Sequence, residues 1–214
     1  MIYNKQQTSD FLSIARELEP TGSISMDKSI KFKFKSFDKQ YESYSGSQTT
    51  LSYFLKVSVG KQYGGAQTKV LQFVVKEPVE TPLESDNPPL KMEVGIEDCL
   101  HIKYEFNKSR YHLNDCIFGQ VDFLLVKVHI KYMEINIFKR EIVGTGQNKK
   151  THSEKVAVYE VMDGSPNKNE TVPVRLYLSG FDLTPTYENI SNKFSVRYYI
   201  SLVLVDVDDR RYFK

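Results

Sequence analysis

From Leu100 the chain alternates strictly between apolar and polar positions. Leu100, Ile102, Tyr104 and Phe106 fall on one side of an extended backbone, and His101, Lys103 and Glu105 on the other. Successive strand side chains point to opposite faces, so this period predicts a half-buried antiparallel strand. The pattern returns with Phe194, Val196, Tyr198, Ile200, Leu202 and Leu204 set against Ser195, Arg197, Tyr199 and Ser201, predicting a strand over 194–205. Residues 156–161 and 172–178 predict two more. A long strand is expected over 119–132, with Val128, Ile130 and Tyr132 on one face. The next apolar set, Met133, Ile135 and Ile137, has the opposite parity, which predicts a bulge or a change of sheet. Gly144, Thr145 and Gly146, with the polar stretch to Glu154, predict a loop.

The upstream part reads differently. Phe11, Leu12, Ala15 and Leu18 recur at helical spacing, Ser9 can cap them, and Pro20 with Gly22 ends the run, so a short helix is expected over residues 8–20. Ile30, Phe32 and Phe34 alternate with Lys31, Lys33 and Lys35, predicting a strand with a basic outer face. Leu51, Tyr53, Leu55, Val57 and Val59 predict another, joined through Gly60 and Gly65 to one over 70–76. The segment EPVETPLESDNPPL holds four prolines and four carboxylates and no period. Proline removes ladder donors and restricts its predecessor, so 77–90 is expected to be a fairly stiff linker. The chain then divides into an N-terminal lobe (1–76) and a C-terminal lobe (91–214). Many strands with short turns and one helix indicate antiparallel sandwiches.

Composition narrows the function. Of 214 residues 40% are hydrophobic and 26% charged, and mean hydropathy is −0.42, as expected of a soluble globular chain. The net charge of +2, from 29 basic and 27 acidic residues, argues against nucleic-acid binding. No run approaches a spanning helix, and MIYNKQQTSDF is not a secretory signal. Cys99 and Cys116 form no disulfide framework and are expected as small buried hydrophobes in a reducing, cytosolic compartment.

Catalysis finds little footing. His101, His112, His129 and His152 lack metal-ligand spacing, and no Walker loop, dinucleotide fingerprint or nucleophile elbow occurs. No cofactor is expected. Asp206, Asp208 and Asp209 run directly into Arg210 and Arg211, which reads as a solvated turn rather than a calcium site. The sequons at Asn107, Asn169 and Asn189 have no meaning without secretion. Binding is better supported. In YEVMDGSPNKNETVP, Val161 and Met162 stand beside an Asp163-Gly164 turn. Apolar side chains there either tuck back into the core or anchor a partner.

Several blocks are long enough to identify a relative. KMEVGIEDCLHIKYEFNKSRYHLNDCIFG, YEVMDGSP, VPVRLYLSGFDLTPT and NKFSVRYYISLVLVDVDDRRYFK resemble the retromer arrestin-like subunit, the vacuolar protein sorting twenty-six family. KQYESYSGSQTTLSYFLKV and SDFLSIAREL are similar more loosely. The resemblance implies an all-β, two-lobed arrestin-like β-sandwich. Members of the family begin several strands earlier and continue past RRYFK, so the first lobe is expected to be incomplete, and residues 1–90 are not expected to fold stably alone.

The resemblance also implies a role. It is that of a non-enzymatic retromer scaffold, cytoplasmic and recruited to the cytosolic face of endosomes, meeting membrane only through its complex. The implied partners are the large α-solenoid subunit, a sorting nexin and the cytosolic tails of transmembrane cargo. Tyr159, Val161, Met162, Asp163 and Gly164 match the loop that meets the large subunit. Val161 stands where the family often has isoleucine, a loss of about 1 kcal/mol or less. Met92, Glu93, Val94 and Phe213 match the site shared by cargo and sorting nexin, where an extended tail adds to a sheet edge. The alternatives are the paralogous retriever subunit, a general arrestin-like adaptor or, from another class, an enzyme or calcium-binding sandwich.

Overall fold

The computed structural model describes residues 1–4, 7–35, 41–77, 87–96 and 98–214. The chain divides into two units, Met1–Pro78 and Val79–Lys214.

In the first unit, β1 (Ile2–Asn4), β2 (Gln7–Ser9), β3 (Tyr44–Ser45) and β4 (Thr49–Leu51) form a sheet in the order β2-β1-β4-β3. Strands β5 (Tyr53–Val59) and β6 (Gln67–Phe73) make the expected hairpin across the glycine-bearing loop. Leu51, however, belongs to β4 in the other sheet, and the second strand begins at Gln67 and ends at Phe73 instead of running over 70–76. Ile2, Tyr44, Leu51, Tyr53 and Val75 are buried. Most of residues 77–90, expected to be a linker, lie outside the described residues.

The helix expected over residues 8–20 is not formed. Ser9, its expected cap, pairs with Ile2 in a ladder, and residues 10–35 carry neither helix nor strand. Phe11 packs edge-on against Tyr41 and Tyr53, at ring-centroid distances of 5.7 and 5.2 Å, instead of joining a helical face. Leu12, Ile14 and Leu18 stay exposed. A helix this short forms in water chiefly by burying such a face, and here no described residue covers it. Ile30, Phe32 and Phe34 also lack the expected strand. Phe32 and Phe34 still meet edge to face at 6.0 Å, so the alternation persists without a ladder.

The second unit is a sandwich. One sheet runs β12-β9-β8-β7, from β7 (Leu90–Ile96), β8 (Leu100–Phe106), β9 (Cys116–Val126) and β12 (Glu170–Tyr177). The other runs β11-β10-β14-β13, from β10 (Ile130–Val143), β11 (Lys150–Asp163), β13 (Tyr187–Ile190) and β14 (Phe194–Asp206), with β15 (Arg211–Phe213) also pairing β14. Leu100, Ile102, Tyr104, Phe106, Val121 and Phe123 pack against Met133, Ile135, Ile137, Leu202 and Leu204 in one core.

The strand at Leu100–Phe106 has the predicted bounds and buried face. The long strand expected over 119–132 is two, because β9 ends at Val126 and β10 begins at Ile130. The parity switch before Met133 is a bulge of β10, where Lys131 is the extra residue between Ile130 and Tyr132 against β14. A separate register shift follows at Met133 and Glu134 against β11. The loop expected to reach Glu154 is shorter, since β11 begins at Lys150. Cys99 is exposed on the turn after β7, rather than buried, and Cys116 is half-buried. Among the described residues there is no α-helix, and no helix long and apolar enough to cross a membrane.

Candidate protein-binding sites on the second unit

The first candidate lies where β11 leaves its sheet. Tyr132 pairs with Asp163 and Met133 with Met162, but Glu134 pairs with Glu160, so Val161 is the extra residue of a bulge. Two residues opposing one bends the strand and re-aims its side chains. Val161 and Met162, though neighbours in sequence, both pack partly against the core. Tucking back is therefore what both side chains do, and each keeps part of its surface open. Tyr159 is exposed on the edge strand, as are Asp163 and Gly164. Gly164 has φ 98°, a region that favours glycine, and its N–H donates to the Lys131 carbonyl at 2.7 Å. That bond closes the tip of the strand.

The second candidate lies at the opposite side of the sandwich. Among the described residues, β7 ends one sheet, and β15 is bonded only to β14 in the other. A cavity of about 100 Å³ opens near these edges, lined in part by Val94, Ile102, Leu202, Leu204, Tyr212 and Phe213. Val94 stands opposite Ile102, and Met92 opposite Tyr104, whose hydroxyl donates to Met92 Sδ at 2.8 Å. Burial holds the Tyr104 phenol above its ordinary range. Glu93 points to solvent and pairs with the half-exposed His101. Phe213 pairs with Val203 and is 75% exposed. The structure thus brings Val94 and Phe213 to one cavity and leaves Glu93 outside it.

Tyr212, Leu202 and Leu204 complete that cavity and escape the sequence reading, because their meeting with β7 and β8 depends on how the sheets stack. Asp206 differs from its expected place. It is fully buried, not solvated. Burial pushes its carboxyl up, but hydrogen bonds from Tyr212, Arg210 and Asp208 outweigh that and hold it below the ordinary carboxylate range. Its spacing to Arg210 and Tyr212 was the available signal. Among the described residues no group of histidine, cysteine and carboxylate side chains is placed to hold a metal.

Two edge surfaces, each with a half-buried apolar residue and a strand margin that no described strand pairs, are an arrangement suited to holding protein segments. The family profile described as vacuolar protein sorting-associated protein 26 matches residues 1–209. The chain belongs to the Vps26 family. It is 51% identical over 214 residues to vacuolar protein sorting-associated protein 26 of Plasmodium falciparum, covering all of this chain and 71% of that protein. It is 47% identical to the Dictyostelium discoideum protein and 45% identical to protein 26B of Homo sapiens, each again along the whole chain, covering 61% and 63% of those relatives. The chain therefore spans about two thirds of the length of the Vps26 proteins it matches. A crystal structure of Spo0M, a sporulation control protein from Bacillus subtilis, aligns over 54% of this chain and 46% of its own at 13% identity, with a TM-score of 0.43. That likeness is too slight to inform the sites. Vps26 is a protein-sorting family, and the all-β character of this chain agrees with the expected fold class.

Proposed function

We propose that this chain is a non-enzymatic scaffold of a retromer-type sorting complex acting on the cytosolic face of endosomes. The observation that carries the reading is the family match along the chain, with the bulged margin of β11 intact within it. Tyr159, Val161, Met162, Asp163 and Gly164 form the contact for the large α-solenoid subunit. Met162 is its anchor, because it combines a fixed backbone with apolar surface left open. Met92, Glu93, Val94 and Phe213 offer an edge and a cavity to an extended cargo tail beside a sorting nexin. Strand addition supplies affinity through main-chain hydrogen bonds, and the cavity supplies specificity for one apolar side chain.

Met162→Asp tests the first contact. A carboxylate placed in a dry apolar contact costs roughly 2–4 kcal/mol of binding, about thirtyfold or more in affinity. Capture of the large subunit should fall accordingly, with circular dichroism unchanged. Undiminished capture removes this loop from the contact. Competition between the retromer and retriever large subunits for immobilised protein then assigns the complex.

A further inference from the structure

Asp206 ends β14 opposite Ile130, with its carboxylate fully buried. Each oxygen accepts two hydrogen bonds. Oδ1 takes the backbone N–H groups of Asp208 and Arg210, at 3.0 and 2.9 Å. Oδ2 takes Arg210 Nε at 2.7 Å and the Tyr212 hydroxyl at 2.8 Å. The first pair is what an aspartate folding a turn makes with its own backbone. The second pair goes further. It reaches two side chains, that of Arg210 at the end of the turn and that of Tyr212 in the next strand.

That strand has little else to hold it. β15 is three residues long and, among the described residues, bonded to β14 alone, with Arg211 and Phe213 exposed. So short a strand has little stability of its own. Tyr212 is half-buried, stands opposite Leu204 and lines the cavity with Leu202 and Leu204. One phenol therefore connects the buried carboxylate to the cavity wall.

We propose that Asp206 is a positioning residue for that cavity, holding Tyr212 and the turn 207–210 so that β15 stays docked on β14. The wall facing Val94 and Ile102 is then set by a residue that does not itself line the cavity. The inference rests on the reading of the cavity as a tail-binding site. The ionised carboxylate is the working form, because four donors converge on it and it has nothing to donate. An amide at this position turns one acceptor oxygen into an NH2 group facing two donors.

Hydrogen exchange on the full chain tests the positioning, comparing the unmodified protein with Asp206→Asn and Tyr212→Phe. Leu202 and Lys214 exchange N–H bonds to each other's carbonyls at 3.1 Å, so their amides report on β15. Both should exchange at least tenfold faster in Asp206→Asn and about threefold faster in Tyr212→Phe, by the loss of one to several buried hydrogen bonds. The Gly164 amide, on the far margin, should not change. Unchanged exchange at Leu202 and Lys214 in both variants overturns the proposal. If Asp206→Asn also exposes Gly164, Tyr212→Phe decides alone.

The same proteins are then titrated with a fluorescein-labelled peptide of alternating leucine and serine, beside Val94→Asp. Capture should weaken in step with exchange at β15. Faster exchange with unchanged capture overturns the positioning role while the cavity reading stands. No capture by the unmodified protein, or capture untouched by Val94→Asp, overturns the cavity reading itself.

Discussion

Met162 faces Met133 across the β10–β11 ladder, and its chain neighbour Val161 faces no residue of β10 at all. Met133 is fully buried, whereas Met162 is only partly so. The same thioether can therefore help close the core and remain open to a partner. Truncation separates the two roles. Met133→Ala should cost roughly 2–5 kcal/mol of stability, as for other buried side chains cut to alanine, and Met162→Ala about 1–2 kcal/mol. Urea denaturation measures both. Equal costs would make Met162 a core residue without surface to spare.

Gly164 supplies a second check on that margin. A Cβ added there meets no atom within 4 Å, so a substitution is opposed by its φ of 98° alone. Gly164→Ala should lose roughly 1–2 kcal/mol, the cost of placing a side chain in left-handed backbone. Thermal denaturation shows the loss. A more stable variant would mean that the tip relaxes out of this conformation, and the Lys131 carbonyl bond with it.

Much of the second unit is legible from local pattern. The alternation of Leu100–Phe106 dictates which face is buried, and the parity switch at Met133 marks the bulge of β10 at Lys131, whereas the bulge at Val161 belongs to β11. Residues 8–20 mislead for a physical reason. Their spacing suits a helix, but an apolar stripe forms one only where another surface covers it, and Leu12, Ile14 and Leu18 remain exposed. The cavity is harder still. Val94 and Phe213 come from the resemblance, whereas Leu202, Leu204 and Tyr212 join them only when β14 and β15 stack beside β7 and β8. Asp206 reads as solvated because its neighbours are charged. Its burial is a tertiary fact.

Gly119 is required by close approach rather than by φ. It stands opposite Phe106 in β8 and Val174 in β12, in the middle of a sheet. A Cβ there would overlap the Glu105 carbonyl oxygen and come within 2.5 Å of Phe106 Cδ1. A backbone carbonyl in a ladder cannot move aside as a side-chain tip can. Gly119→Ala should therefore cost about 3 kcal/mol, the upper end for overpacking. Gly60→Ala, with open space around it and ordinary φ, should change stability by less than about 0.5 kcal/mol. Comparable losses in the two variants would show that the β8–β9 approach is looser than its geometry.

The Asp206 carboxyl gives the fold a dependence on acid with a definite sign. Burial raises its pKa, the bonds from Tyr212, Arg210 and Asp208 lower it further, and the net direction is downward. A carboxyl held below its unfolded value stabilises the fold fully above the unfolded pKa, about 3.9, and loses that contribution as pH falls through the folded one. The stability difference between the unmodified protein and Asp206→Asn should thus be constant from pH 7 to about 5. It should shrink below about 4, as the unmodified protein takes up the proton that its native carboxylate resists. Urea denaturation of both proteins between pH 7 and 2.5 measures this. The raised Tyr212 phenol acts at the other extreme: donating to Asp206 keeps it protonated, so its stabilising effect is complete below about pH 10 and does not overlap the acid transition. A difference that grows as the pH falls below 4 would mean that Asp206 binds its proton more readily in the fold than outside it, contrary to four donors converging on one buried carboxylate.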